Sequence, residues 1–365
     1  MKKHAIIPIF IPHKGCPNDC VFCNQKKITA HQKEVTAKDV ETTVETWLST
    51  LESRGLDTIE TAFFGGSFTG ISLEEQTVYL RTVKKFKDAG RIDKIHLSTR
   101  PDYIDKEILD NLKKYDVDTI ELGVQSFDDQ VLSLSGRGHD SSCVYRAAEL
   151  IKEWEFELGI QLMIGLPGDS LETCIYSAEE TVKIGPSIAR LYPTVVIRDT
   201  ELYSQYLRGD YVPLPESEAV MRTKKMYRIL TAAGINIIRV GLKSSDIISE
   251  RGEIGSGTFH PAFRQLVEGE LAKEQLVALL DGMNIHPVTS GSMSDSEVCI
   301  QSGSQNHPVK ADFFSNRKSF SNMVGHQKKN KKFFLEMYPQ LNILYKVNDN
   351  LSDNQFEIKI KGEEQ

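Results

Sequence analysis

Residues 5–23 read AIIPIFIPHKGCPNDCVFC, an apolar run followed at once by three cysteines. The run predicts a buried first strand, which places Cys16, Cys20 and Cys23 on the loop at its carboxyl end. Barrel enzymes keep their active sites at the carboxyl ends of their strands. The chain has six cysteines, and half of them fall in this loop. The stretch therefore predicts the start of a parallel α/β fold and the position of its functional site.

The same strand-then-helix order continues to about residue 240. Apolar, β-rich runs alternate with amphipathic stretches at helical spacing, which is typical of βαβ units and a parallel sheet. Helix starts are indicated by Thr36, by Ser170, and by Ser72 with Glu75 as a capping box. The strands are predicted at 5–11, 58–65, 94–99, 117–124, 159–165 and 189–197, with 235–241 as an additional candidate. Because six units cannot complete an eight-stranded barrel, the predicted α/β fold is a partial (β/α)6 TIM-like barrel, with a doubly wound sheet as the alternative.

The alternation of predicted strands and helices ends near residue 265. Residues 1–265 are predicted to form the barrel, and residues 266–365 a small C-terminal α+β accessory region. This region is expected to hold a helix at 272–283, a basic helix, and two short strands at 342–347 and 356–360. The Ser/Gly-rich run at 289–297 is predicted to be a flexible loop or linker.

Composition narrows the function classes. With 40% hydrophobic and 26% charged residues the chain resembles an ordinary globular protein, and its net charge of -7 argues against coating nucleic acid through bulk positive charge. Pro8 and Pro12 interrupt the apolar start, and no stretch reaches the eighteen or so apolar residues of a membrane span. We therefore expect a cytoplasmic protein without a membrane partner. Thiols stay reduced in that compartment, so clustered cysteines indicate metal ligands or catalysts. The isolated Cys143, Cys174 and Cys299 are expected to be small buried residues.

Three clustered thiols raise the question of what they bind. A structural zinc site is normally closed by four protein ligands, and the nearest candidate for a fourth is His13. A 4Fe-4S cluster held by three thiolates leaves one iron open to a small molecule. A zinc site of three cysteines and one histidine, or unrelated thiols, remain the alternatives.

The spacing C-x3-C-x2-C, with Phe22 before the last cysteine, resembles the signature of the radical S-adenosylmethionine (SAM) superfamily. The resemblance implies a 4Fe-4S cluster on the three cysteines, with its open iron chelated by the amino and carboxylate groups of S-adenosyl-L-methionine. It also implies that an electron from the reduced cluster breaks the sulfonium bond and yields a 5'-deoxyadenosyl radical. Phe22 is expected to pack near the adenine.

The later strands should then end in polar and glycine-rich residues, because several loops must hold the cofactor together. FFGGSFTG resembles the superfamily's GGE element: Gly65 and Gly66 are expected to let backbone carbonyls approach an ammonium group, while Ser67 stands where an acid is common. MIGLPGD resembles the adenine-contacting GxIxGxxE element. Ordinary turns and helix starts are the alternative explanation. The further cofactor-binding candidates are Ser98, Arg100, Glu121, Gln125, Ser126, Arg137, Ile164, Gly165 and Leu166.

Longer stretches between about residues 5 and 270, among them TIELGVQSFDD and GSGTFHPAF, resemble the radical SAM core of the elongator catalytic subunit family. They are more similar to its short bacterial relatives, the coproporphyrinogen-oxidase-related iron-sulfur proteins. The elongator resemblance implies modification of a wobble uridine in tRNA. It does not imply acetyl transfer, because the chain lacks an R-x-x-G-x-G loop, and its first two cysteines lie closer together than in that family.

The basic segment 317–334 combines lysines with phenylalanines, which suits an RNA partner. A lysine-rich helix packed on the core is the alternative. A porphyrin precursor or other small metabolite is the alternative substrate, with Arg100, Arg137 and Arg198 as anion contacts. A non-catalytic zinc-binding scaffold is the second alternative. The radical chemistry implies an electron donor such as flavodoxin or ferredoxin.

Overall fold

The computed structural model describes residues 4–11, 16, 20–23, 35–242, 254–288 and 308–361. His13, Cys299 and the run 289–297 lie outside these ranges. The chain forms two compact units, Met1–Pro261 and Ala262–Gln365. No helix in the described ranges combines the length and apolar character that a membrane crossing requires.

The first unit is built on a seven-stranded parallel sheet. Its strands lie in the order β1-β2-β3-β4-β5-β6-β8 and are β1 (His4–Ile11), β2 (Thr58–Gly65), β3 (Lys94–Thr99), β4 (Thr119–Gln125), β5 (Glu157–Ile164), β6 (Ile188–Pro193) and β8 (Asn236–Val240). A doubly wound sheet reverses its strand order at a switch point, whereas this order follows the chain throughout. The predicted partial TIM-like barrel is therefore confirmed, with a seventh strand in its sheet.

The helices of this unit alternate with the strands. They are α1 (Ala37–Leu51), α2 (Leu73–Asp88), α3 (Lys106–Lys114), α4 (Asp129–Leu134), α5 (Ser141–Glu153), α6 (Leu171–Ile184), α7 (Glu201–Arg208) and α8 (Glu216–Ala232). Thr36, Ser72 and Ser170 cap α1, α2 and α6 through their side chains, as predicted.

One predicted strand is divided in two. The stretch 189–197 breaks after Pro193, and β7 (Val195–Ile197) leaves the sheet to pair antiparallel with β9 (Ile254–Gly257). Pro193 is the last residue of β6, and it has no amide hydrogen to donate to a neighbouring strand.

The second unit packs helices against a three-stranded sheet. It contains α9 (Phe263–Gly282), β10 (Val309–Ser315), α10 (Phe320–Val324), α11 (Lys329–Met337), β11 (Leu341–Val347) and β12 (Glu357–Ile360), with sheet order β11-β10-β12. The central strand, β10, was not predicted from the sequence. Its alternation of apolar and charged residues is a strand pattern, but it is short, because Phe314 follows Phe313 and interrupts it.

Candidate active site

A cavity of about 170 Å³ lies at the carboxyl edge of the parallel sheet, next to the loop that carries the three cysteines. Residues that the sequence predicted for cofactor binding make up most of its lining: Cys16, Cys20, Phe22, Cys23, Gly65, Gly66, Ser67, Ser98, Arg100, Gln125 and Arg137. Thr99, Gly123 and Gln161 also line it and were not predicted. The parallel order of the strands brings these distant segments to one edge.

The cysteine loop is held by backbone hydrogen bonds to other elements. The Val21 amide donates to the carbonyl of Ser135 just after α4 (3.0 Å), and the Leu202 amide in α7 donates to the carbonyl of Val21 (2.8 Å). The Val21 side chain is buried against Leu202 and Tyr211, and Phe22 packs against the same small cluster. Two elements far along the chain therefore fix Cys20 and Cys23 on either side of this anchor.

Two arginines place positive charge beside the thiols. Arg137 Nη1 lies 3.3 Å from Cys20 Sγ, and Arg100 Nη1 lies 4.0 Å from the same sulfur. Burial raises the pKa of the Cys16 thiol, and Arg100, the Ser67 amide and Arg137 oppose that rise. Nearby cations favour the thiolate, which is the form that binds metals.

The donor set of the cavity suits an iron-sulfur cluster. Cysteine is the only metal-binding type among its described lining residues, which include no carboxylate or imidazole. Within the described ranges, no three His, Cys, Asp or Glu side chains are arranged to hold a single metal ion. Three thiols opening on one cavity beside two guanidinium groups fit a cluster that has three thiolate ligands and a net negative charge.

Gly65 occupies a position that no other residue fits. Its φ is +116°, and a Cβ atom built there would lie 2.3 Å from the carbonyl oxygen of Ile11. The neighbouring Gly66 amide donates to that same carbonyl over 3.3 Å. The close approach of β1 and β2 at their carboxyl ends therefore requires glycine, and it leaves polar backbone at the cavity wall.

Ser67 ties neighbouring strand ends together. Its hydroxyl lies 2.7 Å from Thr99 Oγ1 and accepts a hydrogen bond from the Arg100 amide (3.1 Å). Thr99 in turn contacts the Thr69 hydroxyl at 2.5 Å. The Ser67 hydroxyl thus joins the ends of β2 and β3 through short neutral hydrogen bonds.

Arg100 and Arg137 are held in place by other polar groups. Arg100 makes a two-pronged contact with Asp102 (2.8 and 2.7 Å) and donates to the Arg137 carbonyl (2.6 Å). Arg137 donates to the carbonyl of Gly123 as well as to Cys20. The two guanidinium groups therefore link β3, β4 and the loop after α4 to the cysteine loop.

Gln125 ends β4 in a left-handed conformation with a φ of +72°. This conformation costs a non-glycine residue about 1–2 kcal/mol. A Cβ at Gly123 would lie 3.1 Å from the Gln125 side-chain nitrogen. The left-handed backbone of Gln125 and the lack of a side chain at Gly123 together let the Gln125 amide lie across the end of β4, at the cavity wall.

Glu121 was predicted to contact the cofactor, but the structure places it deeper in the sheet. It is fully buried and lies 2.8 Å from Arg190 Nε and 3.4 Å from His96 Nε2. Gln161, which lines the cavity, donates to it. Side chains two residues apart share a face of a strand, so Glu121 lies one step below Gly123 and reaches the cavity only through Gln161.

Four more predicted residues also lie outside this cavity. The Ser126 hydroxyl is buried, lies 3.3 Å from the Ser177 hydroxyl, and accepts from the Asp128 amide. Ile164 is fully buried. Gly165 and Leu166 line a separate cavity of about 460 Å³.

Gly165 was predicted to bind the cofactor, but its backbone groups already have partners within the protein. The Gly165 amide donates to Asp169 (2.7 Å), and its carbonyl accepts from the Tyr211 hydroxyl (2.6 Å). Both backbone groups therefore already have protein partners.

Comparison with known families identifies the class of this site. Residues 10–180 match the model of the radical SAM superfamily, and residues 186–273 match that of the radical SAM C-terminal domain. The two models cover most of the chain, which therefore belongs to the radical SAM superfamily of enzymes. The resemblance drawn from the cysteine spacing is thus confirmed.

Individual proteins similar to this chain have narrower descriptions than the superfamily. The chain is 28% identical over 224 residues to a tRNA uridine(34) acetyltransferase of Methanocaldococcus infernus, covering 52% of this chain and 41% of the relative. It is 26% identical to the heme chaperone HemW of Bacillus subtilis, covering 63% and 62% of the two chains. A solved Elp3 structure from Methanocaldococcus infernus shares the fold, with a TM-score of 0.61 at 23% identity over 76% of this chain and 64% of that one. The chain spans less than two thirds of each of these relatives.

Proposed function

We propose that the chain binds a 4Fe-4S cluster through Cys16, Cys20 and Cys23 and cleaves S-adenosylmethionine reductively in order to modify a base of tRNA. The observation that carries the proposal is the cavity itself, where three thiols and two arginines meet without any other metal-binding side chain among the described lining residues. When bound, the cluster would supply the electron that divides S-adenosylmethionine into methionine and a 5'-deoxyadenosyl radical.

The residues around the thiols would bind and orient the cofactor. Polar backbone at Gly65 and Gly66 suits the ammonium group of the methionine moiety, and the amides of Gln125 and Gln161 offer donors and acceptors to further polar groups. Phe22 would supply apolar cover. Arg137, next to Cys20, would stabilise negative charge on the thiolates.

The tRNA part rests on the relatives and on the elongator resemblance. Several curated proteins similar to this chain act, by their names, on tRNA uridine, and they match about half of it. The small-metabolite alternative called for anion contacts from Arg100, Arg137 and Arg198. The first two are engaged by Asp102, Gly123 and Cys20, and Arg198 lies 3.5 Å from the Ile254 carbonyl.

The remaining partners follow from the same proposal. Cleavage needs a one-electron donor, for which flavodoxin or ferredoxin is proposed, and oxygen-sensitive chemistry of this kind suits the reducing cytoplasm.

Anaerobic reconstitution followed by an assay for 5'-deoxyadenosine, with and without bulk tRNA, tests the substrate. We expect tRNA to bind and to stimulate cleavage. If the protein cleaves S-adenosylmethionine but tRNA neither binds to it nor stimulates the cleavage, the RNA substrate is refuted and the cofactor chemistry stands.

A further inference from the structure

The second unit has one sheet face that its own helices leave uncovered. On the inner face, Ala311 and Phe313 of the central strand β10 pack with Phe334 of α11 and Tyr338 just beyond it in a fully buried core. Successive strand residues point to opposite faces, so Lys310, Asp312 and Phe314 belong to the outer face. The outer face is therefore charged and partly aromatic.

The neighbouring strands add lysines to this face. Lys346 of β11 lies opposite Phe314, and Lys359 of β12 lies opposite Asp312. Lys361 follows β12 and donates its amide to the Lys310 carbonyl. We call Lys310, Asp312, Phe314, Lys346, Lys359 and Lys361 the basic sheet face.

The lysines are arranged around one ring and one carboxylate. The Nζ atoms of Lys359 and Lys346 lie 5.3 and 6.0 Å from the centroid of the Phe314 ring. Asp312 lies 2.6 Å from Lys346 and 3.4 Å from Lys361. Asp312 thereby fixes two of the ammonium groups on the face. Lys310 is exposed and has no ion pair within the part of the chain that the structure describes.

Protection of sheet edges does not account for Lys310 and Phe314. Lysines on edge strands prevent unwanted strand pairing, but Lys310 and Phe314 belong to the central strand, where no edge needs protection. The face carries four lysines and two carboxylates, Asp312 and Glu357, although the net charge of the whole chain is -7. The local excess of positive charge complements a polyanion.

The segment 317–334, for which the sequence suggested either an RNA contact or a helix packed on the core, is partly engaged in other interactions. Arg317 lies 3.0 Å from Asp349, and Lys318 contacts Asp353. Phe334 is fully buried, and Phe333 packs against the same core. Its phenylalanines are therefore committed to the core of the second unit, as the alternative explanation held.

We propose that the basic sheet face binds single-stranded RNA, with its lysines on the phosphates and a base against Phe314. Sheets that present an aromatic ring among basic side chains bind single strands in this way, because every base has a face that can stack. The inference rests on the proposed function, since RNA is the substrate class proposed there.

Two charge-matched double variants of the full chain separate the basic sheet face from the segment 317–334. Lys310→Glu/Lys359→Glu alters the face, and Arg317→Glu/Lys318→Glu makes the same change of charge in the segment. Phe314→Leu removes the ring and keeps an apolar side chain. Fluorescence anisotropy would measure binding of a labelled single-stranded RNA, of its duplex, and of poly-L-glutamate, which carries charge without bases.

We expect the face variant to weaken single-strand binding about tenfold or more and the segment variant to change it less than about twofold. Phe314→Leu should weaken the single strand about tenfold and spare the duplex and poly-L-glutamate, because it removes stacking alone. Equal losses in both double variants, a larger loss in the segment variant, or an unchanged Phe314→Leu would overturn the proposal. Equally tight binding of poly-L-glutamate by the wild type would point to an acidic protein partner and would overturn it too.

These measurements involve neither the cluster nor S-adenosylmethionine. If the face variant binds RNA as well as the wild type and tRNA still stimulates cleavage, this inference fails and the proposed function stands. If the wild type binds RNA through this face but does not cleave S-adenosylmethionine, the proposed function fails and this inference stands.

Discussion

Raising the pH should remove a stabilising interaction from the interior of the first unit. His96 is 2% exposed and lies between two carboxylates, 2.5 Å from Glu60 and 3.4 Å from Glu121. Burial would lower the pKa of His96, but the hydrogen bond to Glu60 and the negative charges of Glu121 and Glu60 outweigh it and raise the pKa from 6.5 to about 9. The imidazolium form is therefore favoured in the folded protein.

The sign and the size of the effect follow from the pKa. A pKa raised by folding stabilises the protein fully below about pH 6.5, and that contribution is lost as the pH rises through about 9. At about 1.4 kcal/mol for each unit of pKa, the free energy of unfolding loses about 3 kcal/mol over this window.

Urea unfolding of the wild type and of His96→Gln between about pH 6 and pH 10 measures this loss. The chain has two tryptophans, Trp47 and Trp154, and both lie in the first unit, so their fluorescence reports on that unit alone. Groups that do not contact His96 titrate alike in both proteins and cancel in the difference between them. We expect that difference to fall by about 3 kcal/mol as the pH rises. A difference that stays constant across the range would refute the charged state assigned to His96.

The other predictions concern the candidate active site. Gly65→Ala should weaken binding of S-adenosylmethionine and lower the melting temperature, because its Cβ would lie 2.3 Å from the Ile11 carbonyl; Gly55→Ala, with a φ of +58° and nothing within 4 Å, should cost only about 1–2 kcal/mol and leave binding intact. Equal effects of the two variants on binding and melting temperature would show that the close approach of residue 65 to the Ile11 carbonyl does not matter. Arg137→Met should lower the reduction potential of the bound cluster in a spectroscopic redox titration, because it removes a positive charge 3.3 Å from Cys20 Sγ, and an unchanged potential would count against that role. Cys143→Ala and Cys174→Ala should retain cofactor cleavage, since neither residue lines the cavity; a loss in either would mean that the three-thiol site is incomplete.

The sequence predicted the parallel sheet and the edge where the cavity lies, because both depend on local signals. Apolar runs, capping residues and the glycines at 65 and 66 each specify the chain near themselves. Thr99 and Gln161 escaped prediction because their roles depend on the register between strands, which brings Thr99 beside Ser67 and Gln161 beside Glu121.

The predicted residues that lie outside the cavity have a related physical explanation. A polar residue inside a buried strand must have a partner, but the sequence does not say whether that partner is a ligand or another side chain. Glu121 forms ion pairs with His96 and Arg190, and the backbone of Gly165 forms hydrogen bonds with Asp169 and Tyr211. The central strand β10 was missed because its alternating pattern is short, and its charged outer face carries the further inference.

The most direct test of the three-thiol site is anaerobic reconstitution of the wild type and of Cys16→Ala, Cys20→Ala and Cys23→Ala, followed by iron analysis and an assay for 5'-deoxyadenosine. The wild type should be brown, carry about four irons per chain and form 5'-deoxyadenosine when S-adenosylmethionine and a reductant are added. Each single variant should lose that product. A colourless, zinc-loaded wild type that forms no 5'-deoxyadenosine would contradict the iron-sulfur site and the cleavage proposed for it.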